Sequence, residues 1–401
     1  MKPGPPIDRA SELWQRFSAS VAALPDIVMA GAPNDELHAA EGIRYLMRYL
    51  SAGIAMCVEH DDVDHPEIGT LIENRRSWGL DNPDTKYGFT RVTPGGCYRI
   101  SGSPGSARHL ELQVNTGHFA DGDFTGWRAL SRWSTDDIVT EADGSVVIEI
   151  AAERPDGATN WMATGPDASY LHVREYFSDW ANEEPACFVV ERVGESPTAS
   201  QLDLDTLERR MDLLDLWLDV GARCWAELGS GFASGSANDI TPFVPSLTAT
   251  GLGGQAYGMG TYVCGPDEAV IVEFTPPVAR YWSLSLATWF WESADIANRS
   301  CSINDHTATI DPDGHVRAVI SHGDPGCANW LDPAGYVRGT LAVRYLLANS
   351  VPTVSLRTIP FDALNEEMTT GALAGSATLD SAGRAEQIRT RRVGLAKRYR
   401  R

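Results

Sequence analysis

The sequence predicts a mainly β protein with flanking helices, built on two copies of one antiparallel β-sandwich. Three observations predict it. The apolar period is two over residues 97–193 and again over 257–359; Gly, Pro, Asp and Asn turns cut both stretches; and the two strand sets repeat in order and spacing. At 401 residues the chain exceeds the usual size of one hydrophobic core. The expected organisation is a helical segment and loop over 1–85, a first sandwich over 86–200, a connecting helix and Gly-rich loop over 201–256, a second sandwich over 257–360 and a basic tail over 361–401.

The opening reads as helical, because Leu13, Trp14, Phe17 and Val21 recur at three- and four-residue steps until Pro25 is expected to stop the pattern. A second helix follows, with Asn34 or Asp35 as its cap and Leu37, Ala40, Ile43, Met47, Leu50 and Ile54 as its apolar stripe. Residues 59–87 turn polar and Pro-bearing, which predicts a long loop. The runs CYRISG, RHLELQV, SVVIEI, SYLHVREYF and ACFVVERV then alternate as strands. Helical spacing returns from Leu204 through Leu207, Met211, Leu214, Leu218, Ala222, Trp225 and Leu228, starting at Asp203 or Asp205 and ending in GSGFASGSAND. AVIVEF, RYWSLSLATWFW, HVRAVI, GTLAVRYLL and TVSLRTI form the second strand set.

Four anchors tie the two sets together. Ala107-Arg108 and Ala279-Arg280 lie 172 residues apart, Asp143-Gly144 and Asp313-Gly314 lie 170 apart, Asn160-Trp161 and Asn329-Trp330 lie 169 apart, and Arg174 and Arg344 lie 170 apart. Offsets that agree this closely point to internal duplication, with the middle helix as connector.

Composition narrows the function classes. Apolar residues make up 43% and charged residues 22%, an ordinary globular balance. The net charge of −21 sets up a field that repels phosphate backbones and anionic lipid, so neither nucleic acid nor membrane is an expected partner. The tail is the exception: Arg384, Arg389, Arg391, Arg392, Lys397, Arg398, Arg400 and Arg401 face only Glu386, which predicts docking on the acidic body or on a second subunit of a homo-oligomer. Seven scattered cysteines without a Cys-x-x-Cys pair fit reduced thiols, and with no apolar leader or long apolar span the reading is cytoplasmic. No phosphate-binding Gly motif opens a helix, so no nucleotide cofactor is implied. His60 and His65 sit in an acidic loop without recognised ligand spacing, so no metal is expected either.

Candidate chemistry gathers in the second copy. In SHGDPGCANW, His322 can move a proton, Asp324 can orient it and Asn329 can donate to an oxyanion; equally, Asp-Pro-Gly is a turn, and Asn329 with Trp330 reads as a pinned corner. In ATWFWESADIANRSCSINDH, Trp289, Trp291, Glu292, Asp295, Arg299, Asn304 and His306 follow a strand, where aromatic faces beside carboxylates suit a flat or sugar-like ligand, or else fill the gap to the helices. Glu292 and Asp295 are spaced to share one face of a helical turn.

The segments DNPDTKYG, YRISGSPGSARHLELQ and VREYFSDWANEEPA, with YWSLSLATWFWES, HGDPGCANWLDPAG and GTLAVRY, resemble the bacterial domain-of-unknown-function family numbered twelve-fourteen, which often travels with family twelve-fifty-four. The resemblance runs from about Asn34 to Arg401 and implies jelly-roll-like domains with flanking helices, without an assigned activity or catalytic residues. ERPDGATNWM departs from the family's form by an Ala-Thr insertion before Asn160, which sets the two halves apart.

The functional expectation is an enzyme or ligand-processing protein for a small organic molecule, held where the second sandwich meets the helices. His322 or His306 handles protons, Asp324 and Glu292 orient them, Arg344 or Arg299 holds an anionic group, and Trp289, Trp291, Trp330 and Asn304 line the ligand. The rival is a non-catalytic binder, for instance of carbohydrate, with a Trp-lined groove; a third reading puts the tryptophans in a subunit interface.

Overall fold

Alternating runs become strands with two unlike faces. In His109–Asn115, Leu110, Leu112 and Val114 enter a sandwich core, while His109, Glu111, Gln113 and Asn115 point the other way and are buried as well. A strand buried on both faces must be an inner layer. The structure, a computed structural model, describes residues 5–122, 126–194, 198–199, 201–243 and 253–399. Arg400 and Arg401 of the predicted tail lie outside the described residues.

Among the described residues the first sandwich holds nine strands: β1 (Gly69–Ile72), β2 (Thr85–Arg91), β3 (Tyr98–Ser103), β4 (His109–Asn115), β5 (Ala129–Ser134), β6 (Val146–Ala151), β7 (Asn160–Ala163), β8 (Tyr170–Tyr176) and β9 (Cys187–Arg192). The second holds β10 (Asp239–Phe243), β11 (Gln255–Val263), β12 (Glu268–Phe274), β13 (Tyr281–Ala287), β14 (Ser302–Asn304), β15 (Val316–Ser321), β16 (Trp330–Leu331), β17 (Arg338–Leu346) and β18 (Ser355–Pro360). The five-stranded sheets run β1-β2-β8-β4-β5 and β10-β11-β17-β13-β14; the four-stranded sheets run β7-β6-β3-β9 and β16-β15-β12-β18. Each order in the second sandwich is that of the first advanced by nine strands. The predicted fold class, two jelly-roll-like sandwiches related by duplication, is therefore what the chain adopts.

The duplicated anchors do equivalent work. Asn160 donates to the carbonyls of Val139 and Val147 at 2.8 and 2.9 Å, and Asn329 to those of Thr309 and Arg317 at 2.7 and 3.0 Å. The indole N–H of Trp161 donates to Ala151 at 3.0 Å, and that of Trp330 to Ser321 at 2.9 Å. The Asp-Gly turns match too: Gly144 and Gly314 sit at φ +82° and +87°, where a side chain would strain the backbone.

Helices fill the space beside the sheets. The first two are α1 (Pro6–Val28) and α2 (Glu36–Ile54), the latter continued by a π turn at Ala55–Glu59. Next come α3 (Leu204–Leu216), a π turn at Trp217–Gly221 and α4 (Ala222–Ala233), which form one continuous rod. Asp35 and Asp203 are the caps, accepting from the amides of His38 and Thr206. Tyr49 stacks on Trp217 with ring centroids 4.2 Å apart at the centre of the helical core.

Two local expectations are corrected. Pro25 does not stop α1, which continues to Val28: the proline gives up one bond, to the Val21 carbonyl, and its own carbonyl still accepts from the Met29 amide as the helix ends. The stretch expected as loop over 59–87 contains β1, whose four residues are too short for a period to register.

The basic tail folds as α6 (Ser381–Tyr399), preceded by the short α5 (Leu364–Thr369), and docks on its own body. Arg398 is buried, its guanidinium 4.0 Å from the Trp180 ring centroid and 4.4 Å from that of Phe177. Arg384 lies over Trp330 at 5.0 Å, and Lys397 pairs with Glu184 at 2.6 Å. Among the described residues no helix is long and apolar enough to cross a membrane. Among the described residues no cysteine is joined in a disulfide.

Candidate functional site

The outward faces of the two five-stranded sheets turn toward each other. They touch where Tyr176 of β8 meets Tyr281 of β13 edge-on, ring centroids 5.1 Å apart, with Leu346 of β17 beside them. Beyond that contact the sheets enclose a cavity of about 420 Å³.

Both repeats line it. From the first come Tyr87 of β2 and His172, Arg174 and Tyr176 of β8; from the second come Gln255, Tyr257 and Met259 of β11 and Arg344 of β17. Tyr87 is the strand partner of Arg174, and Tyr257 that of Arg344, so the duplication has delivered two Tyr–Arg pairs to one space. The opposite wall is aromatic: Trp78, Phe119, Trp225 of α4, and Trp291. Trp291 stacks on Phe232 at 5.5 Å, and α4 comes close through Gly229, where a Cβ would lie 2.8 Å from that of Trp291.

The rim is strained. Leu80 and Trp291 both line the cavity, and both hold positive φ, +53° and +59°. Burial shifts the titration of His172 and of the tyrosines that line the cavity. Burial, helped by Arg174, pulls His172 well below the usual imidazole range, so its ring is neutral, and neither ring nitrogen has a protein partner. Tyr87 is pushed up to about 12 by burial against the pull of Arg344.

Glu111 of β4 stands across the strand from Arg174. Burial outweighs Arg174 and Arg132 and pushes its carboxyl up to about 7. Gln113 donates to it, and the Gly253 amide does so at 3.1 Å. Among the described residues no group of His, Cys, Asp and Glu is arranged to hold a metal ion.

The residues singled out from sequence are dispersed. Arg344 and Trp291 line this cavity. Asn304 and His306 line another, of about 490 Å³, between α6 and the second sandwich; Asn304 donates to the Ser178 carbonyl at 3.1 Å, and His306 lies 3.7 Å from Asp179. His322 meets the Cys264 carbonyl at 3.0 Å, Asp324 accepts from Arg384 at 3.1 Å, and Trp330 packs under Arg384. Glu292 is wholly buried, paired with Arg48 at 2.6 Å and accepting from Ser77 at 2.5 Å, and burial raises its carboxyl pKa. Trp289 meets His38 edge-on at 6.3 Å, and Arg299 pairs with Asp332 at 2.8 Å. The structure brings none of the four residues proposed to handle protons into the central cavity.

Tyr87, His172, Arg174, Gln255, Tyr257 and Glu111 were not singled out as site residues. One signal was available: Tyr87 and Tyr257 lie 170 residues apart, the same offset as Arg174 and Arg344.

Fold and cavity define a duplicated β-sandwich protein with an interior chamber between its repeats. Residues 116–179 and 269–347, one region in each half, match the family described as "Protein of unknown function (DUF1214)", the same family that the sequence resembles. An uncharacterised protein from Burkholderia cenocepacia has a similar crystal structure, with 26% identity and a TM-score of 0.82 over 88% of this chain and 98% of that one. The VPA0106 protein from Vibrio parahaemolyticus aligns over 84% of this chain and 100% of its own, at 13% identity and a TM-score of 0.45. No curated protein matches.

Proposed function

We propose that the chamber between the sandwiches binds a small organic molecule with a flat apolar body. The observation that carries this reading is a cavity of about 420 Å³ built jointly by both repeats, aromatic on one side and bearing Arg174 and Arg344 on the other. Its volume suits a ligand of one or two rings rather than an oligosaccharide or a nucleotide. The test is a thermal-shift screen of aromatic, sugar and steroid-like compounds on the wild type and on Met259→Trp, which fills the chamber. Aromatic compounds should raise the melting temperature of the wild type alone. Equal shifts in the filled variant sink the proposal.

A second reading, an acid–base enzyme, is favoured by Glu111, a buried carboxyl pushed up to about 7 beside Arg174. It requires turnover of a bound compound that follows the protonation of one group near neutral pH and disappears in Glu111→Gln.

A further inference from the structure

The duplication contains its own control for the charge in the chamber. Arg174 and Arg344 occupy equivalent positions on β8 and β17, and both line the same space. Their strand partners differ. Across from Arg174 on β4 is Glu111; across from Arg344 on β13, at the matching register, is Ser283. The first arginine therefore has an acidic neighbour built into its own sheet, and the second does not.

The hydrogen bonds of Arg344 carry the difference further. It donates to the Ser285 hydroxyl at 2.8 Å and to the carbonyls of Leu80 and Asp81 at 2.7 and 3.3 Å, all neutral acceptors. The Asp81 carboxylate accepts from the Ser293 amide at 2.7 Å and reaches Arg344 through its charge, without a hydrogen bond. These contacts take one Nη1–H and both Nη2–H groups, which leaves the Nε–H and the second Nη1–H, on opposite sides of the guanidinium, each able to give a single hydrogen bond to an anion. Arg344 is 3% exposed, so bulk water does not screen its charge. A buried cation whose hydrogen bonds go to neutral acceptors, facing an aromatic chamber, suits a small anion.

We propose that Arg344 seats the carboxylate of the ligand, so that the chamber selects small aromatic monocarboxylates whose ring lies against Trp225 and Trp291. The inference rests on the reading of the chamber as a ligand site. One charge is expected because only one of the two arginines lacks an acidic strand partner.

The experiment compares 2-naphthoate with 2-naphthamide by calorimetry at pH 7.5, on the wild type, Arg344→Gln and Arg344→Lys. The two probes share shape and ring and differ in charge. The wild type should bind the acid about tenfold more tightly than the amide. Arg344→Gln should lose that preference while keeping its affinity for the amide, and Arg344→Lys, which keeps the charge without the guanidinium's directed N–H groups, should fall between. Equal binding of acid and amide by the wild type overturns the carboxylate assignment and leaves the chamber a site for neutral molecules. An acid preference that survives in Arg344→Gln overturns the seat. If the glutamine variant does not fold, the lysine variant and the wild-type comparison still decide. Binding of neither probe removes the reading of the chamber and the assignment together.

Discussion

The Leu80 amide donates to the Trp291 carbonyl at 2.6 Å, joining two residues that both hold left-handed backbone at the edge of the chamber. One belongs to the approach to the first sandwich and the other to the second, so the bond clasps the repeats at the site. Strain of this kind persists only where the surroundings over-determine it.

Leu80→Gly should be more stable than Leu80→Ala by about 1 kcal/mol, the reverse of the order in a helix or strand, because glycine alone relieves a positive φ. Urea denaturation of the two variants measures it; alanine equal to or better than glycine refutes the strain.

Glu111 makes stability depend on pH. Its carboxyl is raised from an ordinary 4.5 to about 7, so between those values the folded chain holds a proton that the unfolded chain has released. The stabilisation is complete below about 4.5, falls as pH rises toward 7 and is lost above it. Glu111→Gln removes this slope. Relative to the wild type it should gain up to about 3 kcal/mol between pH 4.5 and 7.5, in urea titrations across that range. A flat difference sinks the assignment.

The two pinned corners should cost alike. Asn160→Ala and Asn329→Ala each strip three hydrogen bonds from the backbone, those to Val139 and Val147 in one copy and to Thr309 and Arg317 in the other. Each should lose about 2–3 kcal/mol, and the double variant should lose the sum, because the corners share no partner. Sub-additive loss in denaturant titrations counts against independence.

Arg398 tests the docking of the tail. Its planar group lies over Trp180 and Phe177 and donates to the Pro83 carbonyl at 2.8 Å. Lysine keeps the charge without the flat face, so Arg398→Lys should destabilise about as much as Arg398→Ala, on the order of 2 kcal/mol. Retention of wild-type stability by the lysine variant contradicts the stacking.

Much of the fold was legible because its determinants are local or periodic. Alternation marked the strands, Asp35 and Asp203 marked helix starts, and the matched spacing of Asn160 with Asn329 revealed the duplication. The candidate site was less so. Sequence reasoning favoured Glu292, His306, His322 and Asp324 because they bear chemistry in the copy with more of it, and for the same reason took Arg344 without its counterpart Arg174. On β4 the alternation sets His109, Glu111, Gln113 and Asn115 on the face away from the sandwich core, and the structure buries that face as well.

The amino-acid order by itself determined the two sandwiches, their turns and their kinship, since each follows from contacts within a copy. Only the tertiary structure decided that the polar faces of the five-stranded sheets would meet and that Arg174 and Arg344 would share one chamber. The reason is physical. An alternating strand fixes which residues share a face, but whether that face meets water or another sheet depends on packing between segments far apart in the chain.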